Sequence, residues 1–261
     1  MLYHYDFYKP SAVVFGENAI TKVPGFLKRF ARERVLIVTD STLVNLGLVS
    51  RLEKVLSESG FDYVIYDQVT PEPTVAVANA AGEFARGNKA KALIAFGGGS
   101  VLDVAKTTAV LITNEGGIED YLGVDLVTNP PAFMVAIPTT SGTGSEVTRA
   151  SVICIPEENR KSGVQSPMMI PPVAIVDPTL TYDIPQRMTA MTAIDAFSHA
   201  MESYMSRKAS YLSDIYATES LKMIHRSMPT GRIVKHVIIL LWLVISRECH
   251  LRMQVEGWFT A

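Results

Sequence analysis

Residues 92–106, with the sequence ALIAFGGGSVLDVAK, give the clearest indication of the fold class of this chain. An apolar run is followed by three glycines and then by a segment of helical period, which is the order strand, tight turn, helix. Glycines let the backbone approach a ligand closely, and the first amides of a helix have no partner within it. The positive end of the helix dipole lies behind those amides and favours an anion. We therefore predict one unit of a parallel α/β sheet, with a cradle for the pyrophosphate of a dinucleotide.

The same stretch also has a purely structural interpretation. Ser100 and Asp103 have the spacing of a capping box, in which the glycine turn would simply start a helix. That interpretation leaves three consecutive glycines without a role, so we favour the pyrophosphate cradle. The spacing of the glycines differs from the G-x-G-x-x-G fingerprint of Rossmann domains.

Further apolar runs on both sides of this stretch are typical of buried strands; they lie at residues 34–39, 63–66, 133–137 and 173–176. Segments of helical period separate them, as at 49–56 and 76–85. Because the apolar runs are continuous, both faces of the sheet should be covered. The alternation predicts an α/β fold with a doubly wound parallel sheet.

The chain changes character after Asp177-Pro178. Residues 188–206 and 212–228 both have helical periodicity, with no strand between them. We therefore predict a dinucleotide-binding domain over residues 1–180 and the start of an all-helical domain over residues 181–261, with an atypical tail from 231.

Composition excludes several classes of function. The 261 residues include 24 basic and 26 acidic side chains and are 48% hydrophobic. Such a chain should fold into a packed core, and it has no charge excess for binding nucleic acid or a membrane surface. Two cysteines and no leader-like start predict a cytoplasmic protein. The apolar run at 237–245 has nine residues, whereas a membrane span needs about twenty.

A second loop and one acidic residue also suit a dinucleotide. PTTSGTGSEVT at 138–148 has six hydroxyl side chains and two glycines, and it follows a predicted strand. Asp40 also follows a strand, where a carboxylate can accept the hydroxyls of an adenine ribose and repel a 2′-phosphate. The alternatives are a solvated linker for the loop and a helix cap for Asp40.

The segment from 188 to 206 has a possible metal-binding face. Ile194, Phe197, Met201 and Met205 form one stripe, which we expect to face the core. The neighbouring stripe carries Asp195, His199 and Glu202. An Asp and a His one turn apart can reach one cation, but two ligands do not make a site. From spacing alone, a hydrogen-bonded Asp–His pair is the favoured interpretation.

Together these segments resemble the iron-containing, or group III, alcohol dehydrogenase family. The matching segments are FGGGSVLDVAK (96–106), IPTTSGTGSEVT (137–148), VAIVDPTLT (173–181) and MTAIDAFSHAMESY (191–204). The resemblance extends from about residue 7 to about Pro229. It implies a dehydroquinate synthase-like architecture, with NAD in the cleft between the two domains and a metal beneath the nicotinamide.

The resemblance also implies roles for particular residues. Asp40 would bind the adenine ribose and favour NAD over NADP, and Asp195 and His199 match two ligands of Fe²⁺, or of Zn²⁺ in some relatives. Glu72 departs from the family, in which many members have Asn near the adenosine. The other implied cofactor-binding residues are Gly97, Gly98, Gly99, Ser100, Thr139, Thr140, Thr143, Thr148, Lys161 and Leu180.

The implied reaction is NAD-dependent oxidation of a short primary alcohol or diol to the aldehyde, with a divalent metal polarising the alcohol oxygen. A full-length member of the family is expected to be a homo-oligomer. Two further histidine ligands are expected downstream, and no metal role can be assigned to His225, His236 or His250. The resemblance ends near Gly231, so we expect a C-terminally truncated chain and hypothesise a frameshift. The alternatives are a catalytically impaired NAD-binding fragment and a glycerol dehydrogenase-like polyol enzyme.

Overall fold

The computed structural model describes residues 10–30, 32–182, 184–207 and 209–227. Within these residues the chain forms nine strands and seven α-helices. The strands are β1 (Ala12–Phe15), β2 (Val35–Val38), β3 (Tyr63–Tyr66), β4 (Ala92–Gly97), β5 (Gly123–Val124), β6 (Phe133–Pro138), β7 (Ala150–Ile155), β8 (Arg160–Gln165) and β9 (Val173–Val176). The helices are α1 (Val23–Leu27), α2 (Ser41–Asn45), α3 (Leu48–Glu58), α4 (Val75–Gly87), α5 (Gly99–Thr113), α6 (Gln186–Met205) and α7 (Tyr211–Ser227).

Six strands form one parallel sheet in the order β1-β9-β6-β4-β2-β3. Alternate residues of β2 belong to different cores: Val35 and Ile37 pack on one face of the sheet, and Leu36 and Val38 on the other. The first core includes residues of α1 and α3, and the second includes residues of α4 and α5. Both faces are therefore covered, which confirms the predicted α/β fold with a doubly wound parallel sheet.

Small residues let α4 and α5 pack closely on one face of the sheet. Ala78, Ala81 and Gly82 of α4 are buried. A Cβ atom on Gly82 would lie 2.6 Å from Cδ1 of Leu111 in α5, so a larger residue at this position would push the two helices apart.

The sequence analysis did not identify a hairpin formed by β7 and β8. The two strands pair antiparallel from Ala150↔Gln165 to Ile155↔Arg160, and β5 pairs with β8 to complete a small three-stranded sheet. Asn159 closes the turn with φ 47°, a left-handed conformation that asparagine tolerates well. β7 contacts α4 and α5, which places the hairpin beside the main sheet.

The two predicted C-terminal helices are present, but the predicted orientation of α6 is wrong. Ile194, Phe197 and Met205 are 56%, 43% and 70% exposed in the described part of the chain. Ala196 and Ala200 are buried instead, in a cluster with Ile224 of α7. Alanine has no bulk beyond Cβ, so this stripe allows the helix backbones to approach more closely than the larger side chains would.

No helix in the described residues is long and apolar enough to cross a membrane. The apolar run at 237–245 lies outside the described residues, as do His236 and His250. The division of the chain at residue 180 and the atypical tail from 231 remain predictions.

Candidate cofactor-binding site

The order of the strands defines a reversal point at the carboxyl edge of the sheet. From β2 the chain continues to β3 on one side and then to β4 on the other side, so its direction across the sheet reverses between β2 and β4. Val38 of β2 pairs with Ala95 of β4, and Asp40 and Gly97 each lie two residues beyond that pair. Open α/β sheets bind ligands at such a reversal. Asp40 and the glycine loop therefore flank the expected binding position.

Asp40 caps the helix that follows it. Its Oδ1 atom accepts a hydrogen bond from the Leu43 amide at 3.0 Å, which makes Asp40 the N-cap of α2. The helix-cap alternative is thus present in the structure. The ribose-binding role of Asp40 remains a prediction.

The glycine loop at 97–99 connects β4 to α5, as predicted, and Gly98 is the N-cap of α5. A Cβ atom on Gly97 would lie 2.6 Å from the side chain of Val101, and a Cβ atom on Gly99 would lie 2.8 Å from Cγ2 of Thr143. Real Cβ atoms do not approach other atoms this closely, so both positions require glycine for packing. Ser100 is the second residue of α5 and is half-buried.

The hydroxyl-rich loop packs directly against the glycine loop. The Thr139 amide donates a 3.0 Å hydrogen bond to the carbonyl oxygen of Gly97. Thr140 would lie 3.4 Å from a Cβ atom on Gly98, and Thr143 faces Gly99. The two loops therefore form a single surface at the carboxyl edge of β4 and β6, with the N-terminus of α5 beside it. The solvated-linker alternative for this loop is wrong, since Thr139 and residues 144–148 are buried.

The capping-box interpretation of Ser100 and Asp103 is also wrong, because the Asp103 carboxylate points across to another segment. Its Oδ1 atom accepts from the Ser145 hydroxyl at 2.6 Å, and its Oδ2 atom accepts from the Val152 amide at 3.0 Å. Burial raises the pKa of Asp103, while the nearby Lys106 ammonium acts to lower it. Asp103 thus connects α5 to the hydroxyl-rich loop and to β7 through hydrogen bonds.

Lys106 makes a second link between the same segments. Only 1% of this residue is exposed, and its Nζ atom donates to Thr148 Oγ1 at 2.9 Å and to the Ala150 carbonyl at 2.6 Å. The same atom lies 3.7 Å from Asp103 Oδ1. These bonds fix the position of Thr148, one of the residues implied to bind the cofactor. Sequence reasoning missed this role, although a lysine in an otherwise apolar stretch of α5 was an available signal.

Glu146 is the second ionisable residue that sequence reasoning missed. It is 2% exposed, and burial raises the pKa of its carboxyl to about 7, against the lowering effects of its own backbone amide and of Lys106. Glu146 belongs to a short 3-10 turn at 145–147 within the hydroxyl-rich loop. The loop therefore carries an acid that titrates near neutral pH.

Lys161 and Leu180 lie in different surroundings. Lys161 is on β8, and its Nζ atom lies 2.7 Å from Oε1 of Glu72, the residue that departs from the family pattern. Leu180 is 1% exposed and packs in the core on the α1 and α3 face of the sheet. Thus the structure places Lys161 at an accessible ion pair and Leu180 within the core.

The Asp195 and His199 pair lies on the side of α6 that meets the hydroxyl-rich loop. A Cβ atom on Gly142 would lie 2.4 Å from the Thr192 carbonyl oxygen, which shows how closely the loop and α6 pack. Thr192, Asp195 and His199 follow the spacing i, i+3, i+7 and share one stripe. The pair therefore shares a helix face with Thr192, the residue of α6 that packs against the hydroxyl-rich loop.

The Asp195 and His199 side chains lie close together, but their role as metal ligands remains a prediction. His199 Nε2 lies 3.8 Å from Asp195 Oδ1, and His199 Nδ1 is buried with no hydrogen-bond partner among the described residues. A protein metal site normally needs at least three such ligands. The described residues contain no group of three or more His, Cys, Asp or Glu side chains that could hold an ion. They therefore do not provide a complete ligand set, and His225 is exposed on α7.

Comparison with known proteins gives matches along most of the chain. A family model described as iron-containing alcohol dehydrogenase matches residues 10–178, and the model of the C-terminal region of the Fe-containing alcohol dehydrogenase family matches residues 189–235. The chain is 40% identical over 216 residues to long-chain-alcohol dehydrogenase 1 of Geobacillus thermodenitrificans, covering 82% of this chain and 54% of that protein.

Solved structures are similar over nearly all of the chain. The alcohol dehydrogenase from Oenococcus oeni superposes with a TM-score of 0.86 at 33% identity, covering 93% of this chain and 65% of that one. The sulfoacetaldehyde reductase from Bifidobacterium kashiwanohense in complex with NAD+ has a TM-score of 0.82 at 28% identity, covering 94% and 66%. The chain spans little more than half the length of the curated relatives it matches.

Proposed function

Because the chain belongs to the iron-containing alcohol dehydrogenase family, we propose that it binds NAD and serves hydride transfer between NAD and a short primary alcohol or diol. The observation that carries the proposal is the joint packing of the glycine and hydroxyl-rich loops beside the N-terminus of α5. A helix N-terminus and small polar donors suit a pyrophosphate. A relative of 28% identity is described in complex with NAD+.

Several of the proposed cofactor residues lie where a particular task is possible. Asp40, beside the reversal point, accepts the adenine ribose hydroxyls and disfavours the 2′-phosphate of NADP. The amides at the start of α5 bind the pyrophosphate, and the hydroxyl-rich loop orients the nicotinamide end. The residues assigned to the site are Asp40, Gly97, Gly98, Gly99, Ser100, Thr139, Thr140, Thr143, Thr148, Lys161 and Leu180.

Lys106 and Asp103 support this site without touching the cofactor. Their bonds to Thr148, Ser145 and the backbone of β7 hold the hydroxyl-rich loop against α5 before NAD arrives. A preformed loop loses less conformational entropy when the ligand binds. Rigid attachment of the loop thus favours cofactor affinity.

Asp195 and His199 are the proposed metal ligands, for Fe²⁺ or alternatively for Zn²⁺. A cation in this position would polarise the alcohol oxygen and lower its pKa. The buried, unpartnered Nδ1 atom of His199 and the carboxylate one turn away support a ligand role. The described residues supply only two candidate metal ligands. The proposed function therefore rests on the glycine and hydroxyl-rich loops rather than on the metal ligands.

A second candidate function is a chain that binds NAD but does not turn over alcohol; among the described residues, the candidate metal ligands are Asp195 and His199 alone. Isothermal titration of NAD+ into the whole chain tests the feature that both candidates share. Formation of NADH, followed by absorbance after loading with Fe²⁺ or Zn²⁺ under exclusion of oxygen, then separates them over a series of primary alcohols and diols. NAD+ binding with turnover supports the dehydrogenase, and binding without turnover supports the second candidate. If NAD+ does not bind, both are rejected.

A cytoplasmic location and a homo-oligomer remain predictions.

A further inference from the structure

The loop at residues 70–74 is attached to the β7–β8 hairpin. The Cys154 amide donates a 2.8 Å hydrogen bond to the Pro73 carbonyl, and Thr74 forms a parallel bridge with Cys154. In the hairpin, Cys154 of β7 pairs with Lys161 of β8. The loop after β3 is thereby held opposite β8, and Glu72 is brought next to Lys161. This arrangement lies at the carboxyl edge of the sheet, where the proposed cofactor residues lie.

The Glu72 and Lys161 side chains form a close ion pair that remains open to water. The distance between Lys161 Nζ and Glu72 Oε1 is 2.7 Å, and the side chains are 45% and 70% exposed. Their hydrogen bond lowers the pKa of Glu72 and raises that of Lys161. Both groups are therefore charged at neutral pH.

The backbone conformation at position 72 does not favour glutamate. Glu72 has φ 52°, in the left-handed region that glycine and asparagine adopt at lower cost. Its side chain is largely exposed and adds little to the core. The interaction with Lys161 is the feature of this residue that bears on the cofactor site.

We infer that Glu72 sets the affinity of the chain for NAD by holding the Lys161 ammonium in the cofactor-free protein. The inference rests on the proposed function, in which Lys161 contacts the cofactor. An anionic dinucleotide and the Glu72 carboxylate compete for the same cation, so binding replaces one ion pair by another. The net contribution of Lys161 to affinity is reduced by the pair that is lost, and Glu72 acts as a determinant of cofactor affinity.

A double-mutant cycle with NAD+ as the ligand tests this competition. The variants are Glu72→Gln, Lys161→Met and the double variant, each titrated by calorimetry as the whole chain. Glutamine preserves the size of the side chain and the backbone cost at position 72, whereas asparagine would also relieve that cost. Glu158→Gln is the matched control, because Glu158 pairs with Arg160 on the same hairpin and its replacement makes the same change in net charge.

We expect Glu72→Gln to lower the Kd for NAD+ by roughly two- to fivefold, the range of an exposed ion pair. Its Kd should also rise more steeply with salt, because an ion pair to the cofactor then forms without another being lost. Lys161→Met should raise Kd, and adding Glu72→Gln to it should have no effect. Glu158→Gln should match the wild type.

Two results would overturn the inference while leaving the proposed function intact. In the first, the wild type binds NAD+ and Glu72→Gln binds it no more tightly. In the second, Glu72→Gln increases the affinity for NAD+ equally in the wild type and in the Lys161→Met variant. If the wild-type chain itself does not bind NAD+, the proposed function fails and the inference fails with it. The wild-type titration therefore distinguishes the two failures.

Discussion

Replacing Glu146 by glutamine should remove a pH dependence from the free energy of unfolding. Glu146 is 2% exposed, and burial raises the pKa of its carboxyl from 4.5 to about 7. In the unfolded chain the same carboxyl ionises near 4.5, so the folded protein binds more protons between these two values. Stability from this group is therefore present below pH 4.5 and is lost as the pH rises through 7.

The size of the effect follows from the shift in pKa. Each pKa unit corresponds to about 1.4 kcal/mol, so moving from 4.5 to about 7 represents a loss of about 3 kcal/mol by pH 8. Glutamine is close in size to the protonated acid and does not ionise. The unfolding free energy of Glu146→Gln minus that of the wild type should therefore increase by about 3 kcal/mol from pH 4.5 to pH 8.

Urea denaturation followed by circular dichroism at several pH values measures this difference. Taking the difference between variant and wild type cancels the titration of the groups common to both. Glu157→Gln is the control, since Glu157 is exposed in the hairpin turn and its replacement makes the same change in net charge. If the Glu146→Gln difference were constant between pH 5 and pH 8, the Glu146 carboxyl would have the same pKa in both states. That result would contradict the expected effect of burial on this carboxyl.

Three further predictions concern the cofactor cradle and the metal ligands. Gly99→Ala should weaken NAD+ binding in calorimetry and lower the free energy of unfolding by about 1–3 kcal/mol, because its Cβ would lie 2.8 Å from the side chain of Thr143. Gly87→Ala is the control, since its Cβ would meet no described atom within 4 Å. Equal NAD+ affinity of the two variants would contradict the packing argument. Lys106→Met should lower the free energy of unfolding by about 3–5 kcal/mol in urea denaturation, because the oxygens of Thr148 and Ala150 and the Asp103 carboxylate would lose the buried ammonium. A decrease below about 1 kcal/mol would show that the ammonium contributes little to stability. His199→Ala should weaken Zn²⁺ binding in calorimetry while leaving the Kd for NAD+ unchanged, and unaltered Zn²⁺ affinity would exclude this imidazole as a ligand.

The strands of the main sheet and most of its helices could be predicted from sequence because their signals are local. The run predicted at 63–66 is β3 without any change of boundary, and the run at 34–39 contains β2 (Val35–Val38). A short, continuous apolar run bounded by turn residues is typical of a strand in a parallel sheet. The glycine turn between β4 and α5 was predictable for the same reason.

The β7–β8 hairpin and the orientation of α6 could not be predicted in this way. β8, with the sequence RKSGVQ, has few apolar residues, and its strand conformation depends on pairing with β7. In α6 the large residues suggested a core-facing stripe, yet the alanines face α7. The distance to the neighbouring helix determines which of the two stripes of α6 is buried. Hydrophobic periodicity along the sequence does not predict that distance.

The α/β fold, the glycine and hydroxyl-rich loops and the family to which the chain belongs could all be inferred from the amino-acid sequence. The contacts of the ionisable groups around those loops became visible only in the folded structure. Asp103 and Ser145 are 42 residues apart in the chain, and Glu72 and Lys161 are 89 apart, yet each pair is in contact. Contacts across such separations are formed by the packing of whole elements. The burial that this packing creates raises the pKa of Glu146 to about 7, and the contact between the loop at 70–74 and the hairpin holds Lys161 against Glu72.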